Sequence, residues 1–242
     1  MKTLNGNILS SPNANVICQQ VNCQGVMGAG LAKYIATKYP IVKKNYENIT
    51  HPNGQRPSST YKSSLLGDIQ VVPLEEIAII NMFSQYNFGT DCHRVYTDYN
   101  AFKSALEKIA DYCKRIIFEG LYKLYIQDAY EAVYCLKRLP ITEKEFNEAI
   151  DDSKTSVTYT SYVLDTRYKA IIRSLVNDCG LDEARKAIND NSIQKPMMIV
   201  AFPYKIGCGL GNGDWNIIES MIAEFEEKYS NFIEVEIWKY ER

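Results

Sequence analysis

Apolar positions along the chain fall into two kinds of pattern, short nearly unbroken runs and longer stretches with one apolar position every three or four residues. The unbroken runs NVICQQV (15–21), IAIINMF (77–83), MMIVAF (197–202) and FIEVEIW (232–238) predict buried strands, and a further strand is expected from Leu66 to Val72. The periodic stretches predict helices. Leu31, Ile35 and Tyr39 mark one that Pro40 stops, Phe102, Leu106, Ile109 and Cys113 mark a second, and Ile217, Ile218, Met221, Ile222 and Phe225 mark a third. Polar residues 45–64, with His51, Pro52, Asn53 and Gly54, read as a surface loop, and SQYNFGTDCHRVYTDYN (84–100) as a long polar and aromatic one. Residues 118–194 break the pattern with several helical stretches, a capping box at Thr142 and Glu145, and an alternating TSVTYTSYV segment.

Strands alternating with helices predict an α/β fold: a largely parallel sheet covered by helices on both faces, with ligands at the carboxyl ends of the strands. At 242 residues the chain can bury a core without disulfides or metal, and 46% hydrophobic with 23% charged residues is ordinary for a soluble protein. No apolar run reaches the length of a membrane helix, and the N-terminus lacks a secretory pattern, so a cytoplasmic protein with no membrane partner is expected. The seven cysteines show no metal-ligand spacing, and two histidines leave little room for a catalytic triad; neither a metal nor a cofactor is expected. A net charge of −2 without a basic block disfavours nucleic-acid backbone binding.

Two of the predicted strands run directly into glycine-rich segments that open helices: NCQGVMGAGLAKYI, with Gly25, Gly28 and Gly30, and PYKIGCGLGNGDW, with Gly207, Gly209 and Gly211. Glycine lets backbone N–H groups approach an anion closely, and a helix start favours negative charge. Neither segment matches G-x-G-x-x-G or carries a Walker lysine, which argues against a Rossmann or P-loop site. Two such loops on one sheet point to a diphosphate held between them.

With GNIL (6–9), QQVNCQGVMGAGLAKYI (19–35), MFSQYNFGTD, YTDY and PYKIGCGLGNGDW (203–215), the chain resembles the macrodomain, over roughly residues 1–115 and 195–242. The nearest branch holds the ADP-ribose 1″-phosphate phosphatases (the Appr-1-p processing proteins) and the ADP-ribosyl-ester hydrolases. The resemblance implies a three-layer α/β/α macrodomain with a mixed, largely parallel central sheet, built from residues 1–117 and 195–242, with a mainly helical insertion at 118–194. It implies ADP-ribose or a derivative as ligand, contacted by Asn7, Ile8, Asn22, Gln24, Gly25, Met27, Gly28 and Gly30 and by Ile206, Gly207, Cys208, Gly209, Leu210 and Gly211. An ADP-ribosylated macromolecule is a further partner that it allows. Three departures stand out: Asn7 replaces the acidic residue that reads adenine, no lysine in 83–94 matches that of the ester-cleaving subgroup, and Gly211 stands where that subgroup has aspartate.

The chemistry-bearing side chains each have two readings. Asn22 contacts the distal ribose or a water, or stabilises a turn. Asp214 is a general base or a helix N-cap. Asp91, His93 and Arg94 serve a terminal phosphate or are ordinary surface, and Cys23 and Cys208 are activated thiols or small packing residues. Tyr86, Tyr96 and Tyr99 stack on the ligand or are half-buried surface. With Asn22 and Asp214 as the catalytic candidates, the sequence supports a hydrolase removing the terminal phosphate of ADP-ribose 1″-phosphate. The alternatives are a non-catalytic binder of ADP-ribose-type nucleotides and an ADP-ribosyl hydrolase acting on macromolecules.

Overall fold

The structure, a computed structural model, describes residues 1–116 and 198–240, apart from positions 56 and 76. The capping box and the alternating segment expected within 118–194 lie outside the described residues. One compact unit comprises Met1–Asp111 with Met198–Arg242, and Tyr112–Met197 is grouped as a second.

Six strands of the first unit make one sheet: β1 (Lys2–Asn5), β2 (Val16–Asn22), β3 (Ile69–Pro73), β4 (Ala78–Gln85), β5 (Met198–Pro203) and β6 (Ile233–Lys239), in the order β1-β6-β5-β2-β4-β3. All neighbouring pairs are parallel except β3 with β4. Every residue of β4 is buried, as expected for a parallel strand covered on both faces. β1 carries only one partly buried position, and its sequence signal was too weak to predict it.

One correction to the expected elements comes from Pro40. Proline does end α1 (Gly30–Lys38), leaving Tyr39 non-helical at φ −127° and ψ 78°. The same residue then occupies the first turn of α2 (Pro40–Thr50), where its missing N–H is not needed and its fixed φ suits the helix. Much of the expected 45–64 loop is therefore helical, since α2 runs to Thr50 and α3 (Ser59–Leu65) follows, capped by the Ser58 hydroxyl accepting from Tyr61 N–H at 3.2 Å. The strand expected from Leu66 begins only at Ile69, because Leu66 ends α3 and Gly67 turns the chain at φ +83°.

One face of the sheet carries Ile17, Val21, Ile79, Phe83 and Ala201, packed with Ile35 of α1 and Val42 and Tyr46 of α2; Tyr46 stacks on Phe83 with centroids 5.9 Å apart. A helix, α4, starts at 99 and continues to 116, and α5 spans Trp215–Tyr229. Alternation sends Phe202 to the face opposite Ala201, where Phe225 of α5 meets it edge-on at 6.3 Å. Helix, sheet and helix make three layers.

The topology also positions three loops. β2, β4 and β5 are neighbours running the same way, so the segments that follow them leave the sheet at one end. These are the first glycine loop (23–29), the polar loop (86–98) and the second glycine loop (204–214). None of the helices among the described residues is long and apolar enough to cross a membrane.

Candidate nucleotide site

A cleft of about 640 Å³ lies where the three loops meet, within the range of about 300–1,000 Å³ common for small-molecule sites. Gly28, Ala29, Gly30 and Leu31 line one side, Lys205, Ile206, Gly207, Gly209, Leu210 and Gly211 the other, and Phe88, Gly89 and Thr90 the end between them; Gln20, Asn22 and Gln85 line it from the strand ends.

The first loop is folded around Asn22. Its side-chain carbonyl accepts from Gln24 N–H at 3.0 Å, Val26 N–H at 3.2 Å and the Tyr46 hydroxyl at 3.1 Å, and its amide donates to the Val26 carbonyl at 2.7 Å. The single Tyr46 hydroxyl proton is shared with the nearer Asn22 backbone carbonyl at 2.5 Å, and burial raises the phenol pKa far above its ordinary value, so the proton stays. Asn22 thus lines the cleft while most of its carboxamide holds the loop in shape. Gly25 is required by packing: it sits at φ +81°, and a Cβ there would lie 2.3 Å from His51 Cε1. Gln24 points away, accepting from Lys62 Nζ at 2.8 Å and donating to the Tyr86 carbonyl at 3.0 Å. Met27 is 8% exposed and belongs to the hydrophobic core.

The second loop is braced by the polar one. The Gly207 carbonyl accepts from the Thr97 hydroxyl at 2.8 Å and Gly213 N–H at 2.9 Å, and the Gly211 carbonyl accepts from Tyr96 and Thr97 N–H at 2.9 and 3.1 Å. Asn212 donates to the Asp91 and Arg94 carbonyls, each at 2.9 Å. With the loop carbonyls turned into these contacts, the N–H groups of Gly28, Ala29, Gly209, Leu210 and Gly211, all on the cleft wall, have no hydrogen-bond partner among the described residues. That arrangement suits an anion.

Of the fourteen sequence-derived ligand contacts, Asn22, Gly28, Gly30, Ile206, Gly207, Gly209, Leu210 and Gly211 meet at the cleft, while Asn7, Ile8, Gln24, Gly25, Met27 and Cys208 do not line it. Asn7 caps the short 3-10 turn Ile8–Ser10, its side-chain carbonyl accepting from Leu9 N–H at 3.0 Å, and donates to the Tyr34 hydroxyl at 3.2 Å; Ile8 is buried. Asp214 does not line the cleft either. Its carboxylate caps α5 by accepting from Asn216 N–H at 2.9 Å, and its own N–H donates to the Tyr99 hydroxyl. Asp91 similarly accepts from His93 N–H at 2.9 Å, and Arg94 lies over the Tyr96 ring. Burial pushes the Cys23 thiol up to about 12 and raises that of Cys208, which disfavours the thiolate at both positions. Sequence reading did not single out Gln20, Gln85, Phe88 and Thr97 within the segments QQVNCQGVMGAGLAKYI, MFSQYNFGTD and YTDY, because only the folded sheet and its loops bring them together.

No protein-family model matches the sequence, and no curated protein does. Among solved structures, a crystal structure of a protein from Bacteroides thetaiotaomicron superposes with a TM-score of 0.51 at 16% identity, covering 99% of each chain. The macrodomain of Mycobacterium tuberculosis DarG superposes with a TM-score of 0.50 at 15% identity, covering 98% of this chain and 95% of that one. The fold is that of a macrodomain. At such identities the likeness concerns the fold alone.

Proposed function

We propose that this macrodomain binds ADP-ribose or a close derivative, with the diphosphate between the two glycine loops. The observation that carries the reading is the set of unpartnered backbone N–H groups of Gly28, Ala29, Gly209, Leu210 and Gly211 on opposite walls of one cleft. A diphosphate offers oxygens to both walls, and Lys205 adds positive charge at the rim. The apolar Phe88 and Leu210 side chains, 52% and 53% exposed, suit the nucleoside portion.

Among the described residues, the cleft lining contains no carboxylate, imidazole or thiol. This supports binding as the primary activity. Removal of the terminal phosphate of ADP-ribose 1″-phosphate is the second reading, favoured by the same N–H groups, which are suited to stabilising charge that develops on a phosphoryl oxygen. Calorimetric titration of the purified protein with ADP-ribose tests the first reading. Saturable binding that is lost in Gly28→Glu is expected, because a Cβ at Gly28 meets only Val26 at 3.7 Å and the longer acidic chain would place a like charge beside the phosphates. Phosphate release from ADP-ribose 1″-phosphate in the same sample tests the second. Turnover only with an ADP-ribosylated macromolecule would instead favour a de-ADP-ribosylating enzyme, and no binding at all would overturn the nucleotide reading.

A further inference from the structure

One side-chain amide at the cleft has its orientation dictated by a chain of hydrogen bonds that begins at the second glycine loop. The Gly207 carbonyl can only accept, so the Thr97 hydroxyl at 2.8 Å must give it its proton. With that proton committed, Thr97 Oγ1 acts as an acceptor and takes an N–H of Gln20 at 2.9 Å. This fixes the Gln20 carboxamide: its oxygen faces Ser84, whose hydroxyl donates at 3.0 Å, and its nitrogen also reaches the Gln85 side-chain oxygen at 3.2 Å. Gln85 therefore presents its carbonyl to Gln20 and is left with an NH₂ group that has no partner among the described residues.

That group belongs to a residue only 8% exposed, which lines the cleft. The Nε2 atom keeps contact with solvent through the cleft, so its two N–H groups are available to an acceptor bound there. Gln85 ends β4 opposite Asn22 of β2, between the first glycine loop and the polar loop. Nothing in the described cleft lining is an anion that could take its two N–H groups, and residues of both glycine loops with unpartnered N–H groups line the same cleft.

We propose that the Gln85 side-chain amide is a specificity-determining ligand contact that donates to a phosphoryl oxygen of the bound nucleotide. The assignment rests on the ADP-ribose reading above. It makes Gln85 the end of a polar relay, Gly207 to Thr97 to Gln20 to Gln85, through which the second glycine loop sets the polarity of a donor at the end of β4. Because the donor is neutral, it imposes no titration of its own on binding near neutral pH.

The test compares ADP-ribose affinity in the wild type, Gln85→Glu and Gln85→Met, with thermal unfolding of each to confirm folding. Loss of a hydrogen bond to a charged oxygen predicts about a tenfold to hundredfold weaker affinity for Gln85→Met. Gln85→Glu should lose at least as much at pH 7, and regain part of it as the pH is lowered to 5 and the carboxyl, protonated, donates again. Wild-type affinity in both folded variants would overturn the assignment and leave the ADP-ribose reading standing. A loss confined to Gln85→Glu would indicate charge repulsion without donation and also overturn it. Absence of wild-type binding to ADP-ribose would remove both.

Discussion

Asn22 and Tyr46 show how a single side chain sets the shape of a binding loop. Three donors converge on the Asn22 carbonyl oxygen, and one of them, the Tyr46 hydroxyl, comes from a fully buried ring on α2. Tyr46→Phe should keep the packing against Phe83 while deleting that donor. A stability loss of about 1 kcal/mol is expected from urea unfolding, together with weaker ADP-ribose binding as the 23–29 loop loosens. Asp214 illustrates the opposite case, a residue whose chemistry suggested a base and whose geometry makes a cap. Asp214→Asn should preserve both stability within about 0.5 kcal/mol and ligand affinity, since asparagine caps as well as aspartate does.

At the scale of the elements, the second glycine loop separates two uses of glycine. Gly207 sits at φ +75°, and a Cβ there would come within 2.7 Å of Gln20 Oε1 and 3.1 Å of Thr97 Oγ1. Gly207→Ala should therefore cost at least about 1–2 kcal/mol from the left-handed backbone alone, measured by chemical unfolding, and more from the displaced relay. Gly209 has nothing within 4 Å of its Cβ position and lines the cleft. Gly209→Ala should leave unfolding unchanged but weaken ADP-ribose binding in calorimetry, and equal effects of the two substitutions on stability would refute the distinction.

For the molecule as a whole, the thiols predict an alkaline limit to stability. Burial pushes Cys23 and Cys113 up to about 12, whereas an unfolded cysteine titrates near its ordinary value of about 8.5. Between those values the folded state holds protons that the unfolded state has released, so stability falls as pH rises through that window. Below about pH 8 these thiols contribute no slope. Thermal unfolding followed from pH 8 to 11 should show the decline, and it should be smaller in a folded Cys23→Ser variant.

The elements themselves were legible in the sequence wherever an apolar run or a helical period was long. β2, β4, β5, β6 and the three periodic helices follow from NVICQQV, IAIINMF, MMIVAF, FIEVEIW and the spaced apolar positions, because burying those residues forces the backbone to satisfy its own hydrogen bonds. The two glycine loops were visible for the same local reason, a sharp strand-to-helix turn. What the sequence by itself did not determine is which residues share the cleft. Pro40 both ends one helix and begins the next, and a local rule stating only its helix-breaking side missed α2. Gln20 and Gln85 lie sixty-five positions apart and Thr97 and Gly207 one hundred and ten, and only the parallel register of β2 beside β4 and β5 brings them within hydrogen-bond distance. Asn22 lines the cleft and Met27 enters the core for a related reason: in a short loop the direction of each side chain is set by what the neighbouring strands and helices leave open, a property of the packed molecule and not of the local chain.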